Sequence, residues 1–143
     1  MTMKHTYIIL FFLSSIVFSA CNKDDDFSPE NYEKNIIGEW KQVHEYYWEH
    51  TEGRDPTERE RDLNLNSSYI YKEGGVFYYK NHSFLQEERW KIVDGRIVIN
   101  DDYETTEKIL SLTQTELKTE VHFMDVNGNK PQEVYYLNTY ERQ

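Results

Sequence analysis

One cysteine, Cys21, stands in a chain of 143 residues, so no intrachain disulfide can form and stability must come from a packed core. Positive charge is also scarce. The 16 Lys and Arg are outnumbered by 26 Asp and Glu, for a net charge of −10. A surface that acidic repels phosphate backbones, which argues against a nucleic-acid partner. No apolar run is long enough to cross a bilayer, since the longest, Tyr7 to Val17, falls well short of the ~20 residues needed. Catalytic signatures are missing too. There is no G-x-S-x-G turn and no phosphate-cradling glycine loop, and His44, His50, His82 and His122 lie too far apart for zinc spacing. These absences predict a protein that is not an enzyme and holds neither metal nor cofactor.

What is present begins at the N-terminus. Lys4, the apolar stretch and the small residues of Phe18-Ser19-Ala20-Cys21 make a secretory signal of residues 1–20. Ending in small residues and a cysteine, it resembles the lipobox of bacterial lipoproteins. That resemblance implies cleavage before Cys21, lipidation of its sulfur and attachment to a membrane. Removal of residues 1–20 leaves 123, enough for one domain. Asn22-Lys23-Asp24-Asp25-Asp26 reads as a solvated acidic tether, within a segment of residues 21–35. It also resembles the export signal of Bacteroidetes-type lipoproteins, which implies an outer-membrane, surface-exposed location.

Ser28-Pro29-Glu30 predicts a helical turn over Pro29 to Lys34, with Ser28 as N-cap. Beyond it the chain reads as eight strands, each rich in β-branched or aromatic residues: 37–47, 67–71, 76–80, 84–93, 96–100, 105–112, 115–124 and 133–142. Tight turns separate them, and Asp94-Gly95 is the strongest of these because a two-residue hairpin needs positive φ at both centres. The 12 Tyr and 3 Trp supply bulk that Leu, Ile and Val do not. Residues 49–64 read as a long first loop, with a capping box at Thr57-Glu58-Arg59-Glu60 and one helical turn. Eight strands joined by hairpins give an antiparallel meander, and closure into a barrel removes its two edges. A two-sheet sandwich is the competing arrangement. The fold class is therefore all-β, an eight-stranded up-and-down barrel over residues 36–143 behind a short helical turn.

Four motifs in order make the chain resemble the bacterial lipocalin-like domain family, calycin-type barrels: Gly38-Glu39-Trp40, residues 71–77, residues 90–99, and residues 108–117 with the pattern I-x-x-L-T-x-x-x-L. The resemblance implies that Gly38, Trp40 and Arg142 close one barrel end, with the arginine stacked on the indole. It also implies a long first loop that folds over the mouth as a lid, although a solvated loop fits the same residues. With Trp40 inward, a period of two places Gln42, His44, Tyr46 and Trp48 inside. The last strand then contributes Tyr140, Asn138, Tyr136 and Val134. His44, Tyr46, Tyr136 and Asn138 are thus the candidate ligand-binding set, for a small and partly apolar molecule. The alternative is a filled barrel whose outward tyrosines, drawn from Tyr69, Tyr71, Tyr78 and Tyr79, contact a glycan or a partner protein.

Overall fold

The computed structural model describes residues 26–127 and 129–143. The signal segment, Cys21 and the start of the tether lie outside the described residues.

A 3-10 turn, Pro29–Asn31, runs into α1, Tyr32–Asn35, where the helical turn is expected. Ser28 holds the N-cap position but its hydroxyl makes no cap bond. Nine strands follow: β1 (Gly38–Thr51), β2 (Thr57–Asp62), β3 (Ser68–Lys72), β4 (Val76–Asn81), β5 (Phe84–Val93), β6 (Arg96–Ile99), β7 (Asp102–Leu112), β8 (Glu116–Asn127) and β9 (Lys130–Arg142). All pairings are antiparallel, in the order β2-β1-β3-β4-β5-β6-β7-β8-β9. A further pairing of β1 with β9 closes eight of the strands into a barrel. The edges that an open meander would expose are thereby paired. Asp94 and Gly95 turn the β5–β6 hairpin with φ of 51° and 72°, the positive pair that a two-residue connection requires.

The ninth strand corrects the sequence reading. Residues 49–64 are not a loop with a helical turn. β1 continues four residues past Tyr47, and β2 folds back along it from Glu49↔Thr57 to His44↔Asp62. Every residue of β2 is exposed, so burial does not hold it. Cross-strand pairs hold it instead. Arg61 bridges Glu45 at 3.0 Å, Arg59 lies 4.4 Å from the Tyr47 ring centre, and the Tyr46 hydroxyl donates to Glu58 at 3.0 Å. β1 is long enough for β3 to pair its first residues and β2 its last, both along the same edge.

The core sits at the end nearest α1. Ile36 and Trp40 are fully buried there, packed with Tyr71, Phe77, Trp90, Ile97, Leu112, Leu117 and Tyr140. Aromatic rings dominate this core, and they meet edge-on or tilted: Tyr71 and Trp90 at 5.3 Å, Tyr69 and Tyr140 at 5.3 Å, Tyr71 and Phe77 at 5.0 Å.

Candidate functional site

Gly38, Trp40 and Arg142 come together at the closed end. The Arg142 guanidinium lies 4.3 Å from the centre of the Trp40 ring system. It also donates to three backbone oxygens, of Asn35 at 2.6 Å, Ile37 at 2.7 Å and Gln114 at 2.7 Å. One side chain therefore ties α1, the entry to β1 and the β7–β8 turn together. Gly38 has φ of +145°, and a Cβ on it would stand 2.6 Å from Arg142 Nη1. Its missing side chain makes room for the arginine.

The four residues expected to share one interior wall do not. Tyr136 and Asn138 face inward on β9, and Asn138 accepts from the Gln42 amide at 2.9 Å, with both residues buried. His44 and Tyr46 face outward. A bulge at Val43 shifts the β1–β9 register between Gln42↔Tyr140 and His44↔Thr139, and an extra residue turns every later side chain to the other face. Glu45 and Tyr47 consequently take the interior positions, opposite Asn138 and Tyr136. His44 instead contacts Asp62 at 2.9 Å and Glu60 at 3.1 Å on β2, and the Asp62 hydrogen bond leads in holding its pKa above the ordinary 6.5. With Tyr46 and Leu137 it borders an outer groove of about 330 Å³.

The interior site lies elsewhere. A cavity of about 410 Å³ opens inside the barrel wall built by β3 to β7. Its apolar surface comes from Tyr69, Tyr71, Phe77 and Tyr79, which pair in register across the β3–β4 hairpin and so share the inner face. Its rim is made by the exposed Gln86, Asp102 and Thr105. β6 has only four residues, so β5 from Phe84 to Glu88 has no neighbour from that strand, and the wall is incomplete at the rim.

Glu107, on β7, is the polar focus of this cavity. Its Oε2 accepts from the Thr119 hydroxyl at 2.6 Å and from the Tyr140 hydroxyl at 3.1 Å. Oε1 makes no hydrogen bond with a described residue, and neither does the Tyr71 hydroxyl. No fully buried side-chain nitrogen or oxygen among the described residues is left without a partner. Both oxygens are therefore accessible rather than sealed in the core, and both residues line this cavity. Burial pushes the Glu107 carboxyl above its ordinary 4.5, against the lowering effect of its two hydroxyl donors. The same burial, with the Glu107 charge nearby, pushes the Tyr71 hydroxyl well up.

A pH dependence follows from Glu107. A carboxyl whose folded pKa is raised costs nothing below its unfolded pKa, and it lowers stability as pH climbs from there through the folded value. Glu107→Gln keeps the shape and removes that ionisation. Its stability relative to the unaltered protein is expected to rise between pH 4 and pH 8, read as urea midpoints at both. An identical difference at the two pH values would mean that the carboxyl is not desolvated.

No family model and no curated protein matches the sequence. Among solved structures, the chain is similar to a protein of unknown function from the DUF3598 family of Nostoc punctiforme, at 12% identity and a TM-score of 0.32. That alignment covers 78% of this chain and 49% of the other, so the chain spans about half that protein's length. The architecture defines the class by itself. A closed antiparallel barrel of eight strands, preceded by one short helix, fits the calycin-like fold.

Proposed function

We propose that the protein is a lipid-anchored lipoprotein of the cell envelope whose lipocalin-like barrel binds a small, partly apolar molecule inside. The cavity beside Glu107 carries this reading. At about 410 Å³ it falls within the usual ~300–1,000 Å³ of small-molecule sites, and it joins aromatic rings to polar side chains, of which Glu107 Oε1 and the Tyr71 hydroxyl have no hydrogen-bond partner among the described residues. The lipobox at Cys21 and the acidic tether support anchoring through lipid, on the outer face of the outer membrane. Binding rather than catalysis suits a site that has, among the described residues, no thiol and no histidine beside the half-buried Glu107.

Native mass spectrometry of the full chain, extracted in detergent from its own host, tests the reading. A retained small molecule, lost when Tyr71 is replaced by Trp to fill the cavity, is the expected result. Protein that carries no ligand, and whose Tyr71→Trp variant matches it in every binding assay, would sink the proposal.

A second reading has one observation in its favour. Tyr46, Trp48 and Tyr135 lie together on the outer face of β1 and β9, around a groove of about 330 Å³, and exposed aromatic rings suit stacking on sugars. On this reading the protein is a surface module that contacts a glycan or a partner protein. Its ligand would then survive Tyr71→Trp and be lost on Trp48→Ala.

A further inference from the structure

The interior cavity has a charge of one sign. Glu88, Asp102 and Glu107 line it, and among the described residues no Lys, Arg or His does. Asp102 is exposed at the opening, whereas Glu88 and Glu107 are half-buried, and Glu107 shares one oxygen between Thr119 and Tyr140. Accepting two hydroxyl protons on Oε2 suits a carboxylate, and Oε1 has no partner among the described residues and is not sealed in the core. Around that oxygen stand aromatic rings. Tyr69 lies 5.4 Å from Tyr79 and 6.3 Å from Phe77, ring centre to ring centre, and Tyr71 lies 5.0 Å from Phe77. Ring faces carry negative quadrupole density, so they favour a cation and disfavour an anion.

Given that the cavity is a ligand site, the geometry points to a small organic amine as its ligand, with the ammonium group against Glu107 Oε1 and the aromatic rings. Each feature selects for this class. A neutral apolar molecule would leave the Glu107 carboxylate desolvated without a counter-ion or force it to take up a proton, and either weakens binding. An anion would meet three carboxylates. An ammonium group answers the free oxygen with a charge-assisted hydrogen bond and the rings with a cation–π contact, while its apolar part lies against Phe77 and Ile99. The Tyr71 hydroxyl, also without a partner, accepts a second ammonium proton. The protein's net charge of −10 raises the local concentration of such a cation.

Calorimetric titration of the full chain in detergent tests the charge preference with two near-isosteric probes, 2-phenylethylamine and 2-phenylethanol. The amine is expected to bind about tenfold or more tightly than the alcohol, the scale of one desolvated charge contact. Glu107→Gln is expected to bring the two within about threefold, chiefly by weakening the amine. Should that variant fail to fold by circular dichroism, Glu88→Gln, opposite Phe77 on the cavity wall, tests the same preference with a smaller expected loss, about twofold. Equal binding of amine and alcohol by the unaltered protein would overturn the amine inference and leave the cavity reading standing. An amine preference that persists in Glu107→Gln overturns it as well. Absence of binding by either probe, in protein that also retains no native ligand, overturns both.

Discussion

Replacing Trp40 by Ala is expected to cost about 3–5 kcal/mol, as large a loss as any expected at the closed end of the barrel. Trp40 is fully buried, and its indole N–H donates to the Ile36 carbonyl at 2.8 Å. Three contributions are lost together, and their sizes rank them. Removing a buried indole and leaving its space accounts for most of the cost. The hydrogen bond to Ile36 adds about 1 kcal/mol. The Arg142 contact adds about 0.5–2 kcal/mol. Trp40→Phe separates these, since it keeps a ring under Arg142 and loses the hydrogen bond, and about 1–2 kcal/mol is expected for it. Small domains have only about 5–15 kcal/mol in total, so Trp40→Ala is expected to bring the protein to the edge of folding. Urea unfolding followed by circular dichroism reads both variants. A loss under about 1 kcal/mol for Trp40→Ala would mean that the indole is not what seals this end.

The barrel was legible because its strands alternate with turns that only certain residues make. Asp94-Gly95 and Gly74-Gly75 place hairpins without ambiguity, and all eight strands lie where β-branched and aromatic residues accumulate. β2 was not legible. Thr57 to Asp62 presents charge on both faces, so it lacks the apolar alternation that marks a strand, and its partners on β1 supply what it has no pattern for. The candidate site failed for a related reason. Gln42-Val43-His44 has no glycine or proline to announce a bulge, and the shift there comes from pairing with a strand some 95 residues away. Once the register slips by one, an inference by alternation puts His44 and Tyr46 on the wrong face. The aromatic half of the actual cavity was within reach, since Tyr69 and Tyr71 mirror Tyr79 and Phe77 across the β3–β4 turn. Glu107 was not. An acid between Thr106 and Lys108 looks solvated, and only closure of the ring sets Thr119 and Tyr140 against it.

Gly38 carries the second large effect, and coupling to Arg142 is its signature. At φ of +145° an alanine is strained at once, at about 1–3 kcal/mol. Its Cβ would also fall 2.6 Å from Arg142 Nη1, far inside contact distance, so the guanidinium must leave. That departure breaks donations to Asn35, Ile37 and Gln114 and the contact with Trp40. A loss of about 3–5 kcal/mol is therefore expected for Gly38→Ala, with about 3 kcal/mol for Arg142→Ala alone. The double variant distinguishes backbone from crowding. With Arg142 already absent there is nothing to displace, and only the backbone strain of about 1–3 kcal/mol should remain for the alanine. The two single losses are thus expected to exceed the double loss by about 2 kcal/mol. Simple additivity would mean that the glycine serves the backbone alone. A subadditive cycle would establish that a residue near the start of the domain is small because an arginine near its end must reach past it, which is how the first and last strands are locked into one closed sheet.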